Sequence, residues 1–356
     1  MEGRKAELLE RIQSDREVLL GFFRRFIRCR SPNPPGDTRE AAGHIRQFLA
    51  QHGADFRVIA PSEIMPNIVA TFEGGKPGRH LALNGHIDVF PVGDGAGWTH
   101  DPWGAEVVDG RIYGRGACDM KCGTTAAIFT FLYLRELRAE LHGRLTLSAV
   151  SDEETFGPYG ARYLSEHHPE VFGDSCLSGE PSSPWTLRFG EKGPLWLEFT
   201  VRTKGAHGAY THASKSATAI AAKIIGELEI LEDIPAPEAG NLAAALDEAA
   251  PAIDRAQGEG AAGITRGVTV NQASCAADSR SIWSRRSVPL KWTSVCRTGS
   301  TRRRSLPRST ESSRPIPKPR TDRSSTTRRA GARPTPSWRN WCAPMPRKSP
   351  VSIRPR

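Results

Sequence analysis

At 356 residues the chain is long enough for two domains of ordinary size. Its formal charge of +10, taken whole, would suggest an anionic partner such as nucleic acid or a membrane surface. Residues 272–356, however, carry 18 Arg and 3 Lys against three acidic residues, which leaves residues 1–271 at −8 and excludes both partners for the main body.

Ala6 to Ile27 places Leu8, Leu9, Ile12, Leu19, Leu20, Phe23 and Ile27 at three- and four-residue spacings, so one helix with one buried face is expected there. SPNPPGD, from Ser31 to Asp37, breaks it. A second helix over Thr38–His52 leads to short β-type runs at Asn67–Phe72 and His80–Leu83, then to a Gly/Pro-rich loop from Gly85 to Gly104. A long apolar helix (Gly123–Leu141), a strand (Arg144–Val150), a helix (Tyr159–His167) and a strand (Ser175–Ser178) follow, an alternation that marks an α/β domain. From Leu195 the pattern changes. Leu195, Leu197, Phe199 and Val201 alternate as in a half-buried strand, and Ala217–Leu231 makes an amphipathic helix, together a smaller α+β domain. Pro235–Gly263 reads as a surface insertion with at most a short helix at Asn241–Ala249, and a strand begins at Gly267–Asn271.

Seven cysteines (Cys29, Cys118, Cys122, Cys176, Cys275, Cys296 and Cys342), without disulfide or zinc-ribbon spacing, point to a reducing compartment. Cys118 and Cys122 are expected to be small packing residues rather than thiolate ligands. No apolar run approaches the ~20 residues of a membrane span, so a soluble, cytoplasmic protein is expected.

The chemistry gathers where the strands end. LALNGHIDVFP puts His86 and Asp88 on one face, an arrangement suited to a metal because one ring nitrogen can ligate while the other is held by the acid. A hydrogen-bonded His–Asp pair without a metal has the same pattern. Asp119 in GRGACDMK, Glu153 and Glu154 in SDEE, and Glu180 in SGEP follow in order, each just after a strand or in a Gly-rich turn. Adjacent glutamates ending a strand point to opposite sides, so Glu153 and Glu154 are expected to do different jobs.

GHIDVFPVG, GRGACDMKCG, SDEE, SGEP and GAHGAYTH together resemble, in order and rough spacing, the dinuclear zinc peptidases that include acetylornithine deacetylase, succinyl-diaminopimelate desuccinylase, carboxypeptidase G and aminoacylase. The resemblance covers residues 1–271. It implies a zinc-exopeptidase-like α/β catalytic domain with a mixed central sheet (1–189) and an inserted α+β lid or dimerisation domain opening near Gly190 (190–271). It further implies two Zn²⁺, with Co²⁺ or Mn²⁺ as substitutes. Asp119 is then the bridging carboxylate, His86 and Glu180 the remaining ligands of one ion, and Glu154 a ligand of the other. Asp88 would orient His86, and Glu153 would be the general base. His207, with Tyr210 as helper, would steady the oxyanion from across a homodimer; His212 is the lesser choice. The substrate class is an N-acyl amino acid or small peptide.

The family's C-terminal histidine ligand has no counterpart, because no His follows His212. The segment 272–356 holds 18 Arg, 16 Ser and 11 Pro and lacks the apolar periodicity of a core. Synonymous codons can be chosen for Ala273–Ser300 and Trp338–Pro355 that, read two bases over, decode to strings resembling lid strands and a catalytic-domain helix. The segment is therefore expected to be a frameshifted, disordered tail beginning near Asn271, in a chain expected to fold poorly or be inactive. Two rival readings are an Arg/Ser-rich arm that binds nucleic acid and a non-catalytic remnant of the family. The first lacks RS or RGG repeats, and the complete set of carboxylates argues against the second.

Overall fold

The apolar stretches before residue 181 are short and separated by helices, and in the computed structural model they line up as one central sheet. The structure describes residues 2–272, apart from 189, 205, 208 and 235–240, together with the backbone of residues 274–275, 287–291, 294–297 and 351–355. The chain divides into two units, Met1–Pro181 and Ser182–Arg356.

The first unit begins with helices α1 (Glu2–Ser14), α2 (Arg16–Arg28) and α3 (Arg39–Gln51) and strands β1 (Arg57–Ile59), β2 (Asn67–Glu73) and β3 (Lys76–His86). The small hairpin β4 (Glu106–Val108) and β5 (Arg111–Tyr113) leads to α4 (Lys121–Glu136), β6 (His142–Val150), α5 (Ala161–His167) and β7 (Ser175–Ser178). Five strands form the main sheet in the order β1-β2-β6-β3-β7. β3 runs parallel to β6 and to β7, whereas β2 is antiparallel to β6 and to β1, so the sheet is mixed, as expected. Phe22, Phe26, Ile45, Leu49, Ile128 and Phe131 of α2, α3 and α4 pack with Ile68, Leu83, Leu145 and Leu147 of the strands to make the main core. Leu164 of α5 and Val171 pack with Val69 and Val150 in a second cluster. Helix α4 is apolar almost all round and is correspondingly buried from Thr124 to Tyr133 on more than one side.

Several boundaries differ from the sequence expectation for physical reasons. The single helix expected over Ala6–Ile27 is two, broken at Asp15, whose carboxylate accepts from Arg11 Nε (3.4 Å) and from the Tyr133 hydroxyl (3.1 Å). Only α2 carries fully buried residues; Leu9 and Ile12 of α1 are exposed. The helix expected to run to Leu141 ends at Glu136, followed by a 3₁₀ turn at Arg138–Glu140. Cys118 and Cys122 are not packing residues: both thiols are exposed, and Cys122 Sγ donates to the Cys118 carbonyl (3.1 Å). Cys118 lies in the loop before α4 and Cys122 in the first turn of that helix, on its exposed side.

The second unit contains β8 (Gly193–Leu195), β9 (Leu197–Arg202), α6 (Ala217–Glu229), α7 (Asn241–Gln257), α8 (Ala261–Arg266) and β10 (Thr269–Asn271). Helix α6 starts at Ser216, whose side chain accepts from the Ala219 N–H, and packs Ala217, Ala221 and Leu228 with Phe199 and Val201 of β9. The expected surface insertion carries more helix than the short stretch expected at Asn241–Ala249: α7 runs on to Gln257 and α8 follows. Its many alanines supply intrinsic helix propensity, and α7 continues through Pro251 to Gln257.

Four short strands fall in the segment expected to be disordered: β11 (Ser274–Cys275), β12 (Ser287–Lys291), β13 (Ser294–Arg297) and β14 (Val351–Pro355). β12 and β14 pair antiparallel with β9, and β13 pairs antiparallel with β8 and β10. Val288 and Leu290, and likewise Val351 and Ile353, repeat at the two-residue period a strand requires. The remainder of 273–356, including the tail tryptophans, lies outside the described residues.

Candidate metal centre

Because β6, β3 and β7 are parallel neighbours, their carboxyl ends meet along one edge, the usual place for a site in a sheet of this kind. His86 ends β3, Glu153 and Glu154 lie in the turn after β6, and Glu180 follows β7. Asp119 comes from the loop before α4. Glycines let these segments approach one another. A Cβ on Gly85 would stand 2.4 Å from Thr124 Oγ1, which donates to the His86 carbonyl (2.8 Å). A Cβ on Gly123 would stand 2.0 Å from the Gly179 carbonyl oxygen, so the start of α4 and the loop carrying Glu180 touch backbone to backbone.

The His86 ring is buried, and its two nitrogens have different neighbours. Nδ1 donates to the Asp88 carbonyl oxygen (2.9 Å), with the Asp88 carboxylate 3.6 Å away. Nε2 faces Asp119 Oδ1 (3.1 Å), Glu180 Oε1 (3.5 Å) and Glu153 Oε2 (3.6 Å). The ligand atoms of His86, Asp119 and Glu180 all lie within 4.8 Å of one another. Glu154 has a different partner: its Oε1 accepts from the Phe90 N–H (3.0 Å). The two glutamates have different polar partners, and they leave a turn and not the strand end that was expected: β6 ends at Val150, and Asp152 sits at φ +63°, in the left-handed region.

Electrostatically, the pocket holds more negative charge than it can neutralise. Burial works against a charged His86 ring, yet hydrogen bonds to Asp119 and Asp88 outweigh it and push its pKa up to about 11. Burial and the neighbouring carboxylates push Glu153 and Glu154 up to about 7, against the pull of His86. Asp88 goes the other way: burial would raise it, but its hydrogen bonds with His86 and from Asn33 and the Glu153 N–H hold it below the usual carboxylate range. One imidazole nitrogen and several carboxylate oxygens around one point are a donor set that fits zinc or a similar divalent cation. A cation at that point would replace the proton at Nε2 and the missing positive charge together.

Four supporting side chains were given no role by the sequence, although Asp152 and Lys121 lie within the quoted motifs. Asn33, Asp152 and Thr124 are buried polar residues around the ligands, and Lys121 is wholly buried with Nζ donating to the carbonyls of Phe26 (3.0 Å) and Cys29 (2.6 Å). The one clue for Asn33 was a polar side chain set among prolines in SPNPPGD, a pattern that reads first as a turn. Among the other expected residues, His207 and Tyr210 belong to the second unit. Both are exposed, with ring centroids 5.5 Å apart, and the Ala209 N–H donates to His207 Nδ1 (3.3 Å). His212 is exposed beside Tyr210, at 6.1 Å between ring centroids.

The sequence model of peptidase family M20/M25/M40 matches residues 82–267, more than half of the chain. This chain belongs to that family. Among its M20 relatives, succinyl-diaminopimelate desuccinylase of Cereibacter sphaeroides is 33% identical over 210 residues, covering 57% of this chain and 54% of that protein. The desuccinylase of Rhodospirillum centenum is 38% identical over 146 residues, 39% of this chain and 37% of its own. The chain thus spans about half the length of the curated relatives it matches. The M20 fold is equally plain in solved structures. The metallo-carboxypeptidase Sso-CP2 of Sulfolobus solfataricus superposes with a TM-score of 0.62 at 20% identity, over 77% of this chain and 70% of that one. Human carnosine dipeptidase 1 also gives 0.62, at 17% identity, over 81% and 71%.

Proposed function

We propose that the residues of this site belong to a metal-dependent hydrolase that cleaves the amide bond of an N-acyl amino acid or small peptide. The convergence of Asp119, Glu153 and Glu180 on His86 Nε2 is the observation that carries this reading. His86, Asp119 and Glu180 would hold one divalent ion, Asp119 would be shared with a second, and Glu154 would serve that second ion. Zn²⁺ is the expected metal, with Co²⁺ or Mn²⁺ able to substitute. When bound, such a pair polarises the scissile carbonyl and acidifies water.

The protein's own groups supply the rest. Glu153, part-buried and raised to about 7, is matched to accept a proton from water near neutral pH and return it to the departing amine, leaving a carboxylate and a free amine as products. Asp88 steadies His86 from the Nδ1 side. His207, helped by Tyr210, is proposed to reach the oxyanion across a homodimer, with residues from about 190 onward forming the lid. Succinyl-diaminopimelate desuccinylase is the name carried by relatives at 33% identity, which favours a substrate with a free carboxylate.

For this particular chain we infer impaired activity. The composition of 272–356 fits an out-of-frame reading that begins near Asn271. Sequencing the coding DNA across codons 265–356 tests the frame: if neither shifted frame encodes strings like those of the family, the idea is wrong. Purified 1–356 that hydrolyses N-acyl amino acids at a family-like rate with two bound metals would refute the impairment. With the frame restored, a screen of N-acyl amino acids and dipeptides is expected to reveal hydrolysis that a chelator abolishes.

A further inference from the structure

The SPNPPGD loop does more than end helix α2. It is laced to the ends of two strands that carry the candidate ligands. Ser31 Oγ donates to the Ile87 carbonyl (2.7 Å), the Val89 N–H donates to the Ser31 carbonyl (3.0 Å), and the Asn33 N–H donates to the Val89 carbonyl (2.9 Å). Thr38 Oγ1 lies 2.7 Å from Ser151 Oγ, just past β6. Between these anchors the Asn33 side chain is buried at 3% exposure, with Asp88 at 0% and Asp152 at 5%.

We propose that Asn33 is a positioning residue whose side-chain amide, bridging the buried carboxylates of Asp88 and Asp152, sets the backbone from which Glu153 and Glu154 project. Asn33 Nδ2 donates to Asp88 Oδ2 (2.9 Å) and to Asp152 Oδ1 (3.1 Å), one hydrogen for each acid. Each acid then holds part of the turn. Asp88 accepts from the N–H groups of Glu153 (3.2 Å) and Glu154 (3.1 Å). Asp152 accepts from Thr155 Oγ1 (2.9 Å) and from the Tyr159 N–H (3.1 Å).

The physical logic is one of charge and donor count. Two buried carboxylates can share so small a space only if donors lie between and around them. Asn33 alone presents two hydrogens from a neutral group to both acids at once. Asn33 and Asp88 both lie outside the segment that carries Asp152, Glu153 and Glu154, so the turn after β6 is held from outside itself. A hydrogen bond to an ionised group is also among the stronger ones available to a fold. Asn33 touches no candidate ligand atom, and its effect on the glutamates passes through Asp88 and Asp152.

Asn33→Asp keeps the shape and removes both hydrogens; Asn33→Ala removes the amide without adding charge. Hydrogen–deuterium exchange of chelated full-length protein is the readout, followed on peptides covering residues 152–157 and, for comparison, strand residues 142–150. In the wild type, the amides of Glu153 and Glu154 are expected to exchange slowly although they lie in a turn. Both variants should speed that exchange roughly tenfold or more while the strand peptide stays protected. Fast exchange at 153–154 in the wild type overturns the inference without any variant, so it remains testable even where a variant fails to fold. Unchanged exchange in a folded variant overturns it as well.

A parallel Co²⁺ titration links this to the metal centre, on whose assignment the functional consequence rests. Co²⁺ binding in the wild type with an altered cobalt spectrum and weaker binding in both variants supports the proposal. An exchange difference with no Co²⁺ binding by the wild type supports the bridge and counts against the metal-centre reading, so the two failures are distinguishable.

Discussion

Gly123→Ala is the sharpest test of how the site is assembled. The added Cβ would lie 2.0 Å from the Gly179 carbonyl oxygen, 2.6 Å from its carbonyl carbon and 2.9 Å from its Cα. All three are backbone atoms, so no side-chain rotation relieves the contact. Ordinary contact begins near 3.4 Å, so the start of α4 and the loop after β7 must separate by roughly 1.4 Å. Glu180 is the next residue in that loop, and Asp119 lies just before α4. Metal–ligand distances tolerate only about ±0.2 Å, so a shift several times larger should fall chiefly on ion binding. Overpacking of this kind costs about 1–3 kcal/mol of stability, and disturbance of a site's supporting residues weakens ion affinity roughly 10–100-fold.

The assay pairs a zinc or cobalt titration with denaturant unfolding in chelator. Gly21→Ala serves as the control, since a Cβ there meets nothing within 4 Å inside helix α2. It should raise stability by up to about 1 kcal/mol through helix propensity and leave ion binding unchanged. If Gly123→Ala binds the ion with unchanged affinity, the two glycines do not set the distance between Asp119 and Glu180.

Other outcomes follow from the same geometry. With the frame restored, Glu153→Gln should keep its metal and lose turnover by roughly 10²–10⁴-fold; loss of metal instead would mean that the roles of Glu153 and Glu154 are exchanged. Lys121→Met leaves the buried carbonyls of Phe26 and Cys29 without their donor and should cost about 2–4 kcal/mol, read from the denaturant midpoint; a loss under about 0.5 kcal/mol would contradict the bracing role given to Lys121. A carboxylate raised in the folded state binds protons more tightly there than when unfolded, so its contribution favours the fold at low pH and is lost as pH rises. For Glu153 and Glu154 the window runs from the ordinary 4.5 to about 7. The gain in Tm on adding metal to chelated protein should therefore grow with pH across that window, and a gain that is flat or falling would show that these carboxylates are not the groups the cation relieves.

Much of the site could be read from the residues because its chemistry is carried on short motifs at strand ends. A parallel sheet brings the carboxyl ends of neighbouring strands together, so His86, Glu153 and Glu180 meet at Nε2 once β3, β6 and β7 are adjacent. Asn33 was not legible for the opposite reason. Its partners Asp88 and Asp152 lie 55 and 119 residues away, and no local pattern reports a hydrogen bond across such separations. The exposure of Cys118 and Cys122 was likewise a property of where the loop before α4 and the start of that helix land. Local composition misled in the other direction at α7, where alanine-rich helix propensity carried the chain through Pro251.

The amino-acid sequence by itself determined the family, the alternating α/β order and which side chains are candidates for holding a metal, because these depend on residue type and on spacing along the chain. Only the tertiary structure decided how those side chains are held: the Asp88–Asn33–Asp152 bridge, the contact between Gly123 and Gly179, and the Lys121 ammonium under α2. Each of these joins segments far apart in sequence, so its geometry exists only once the sheet has brought them within hydrogen-bonding or van der Waals distance.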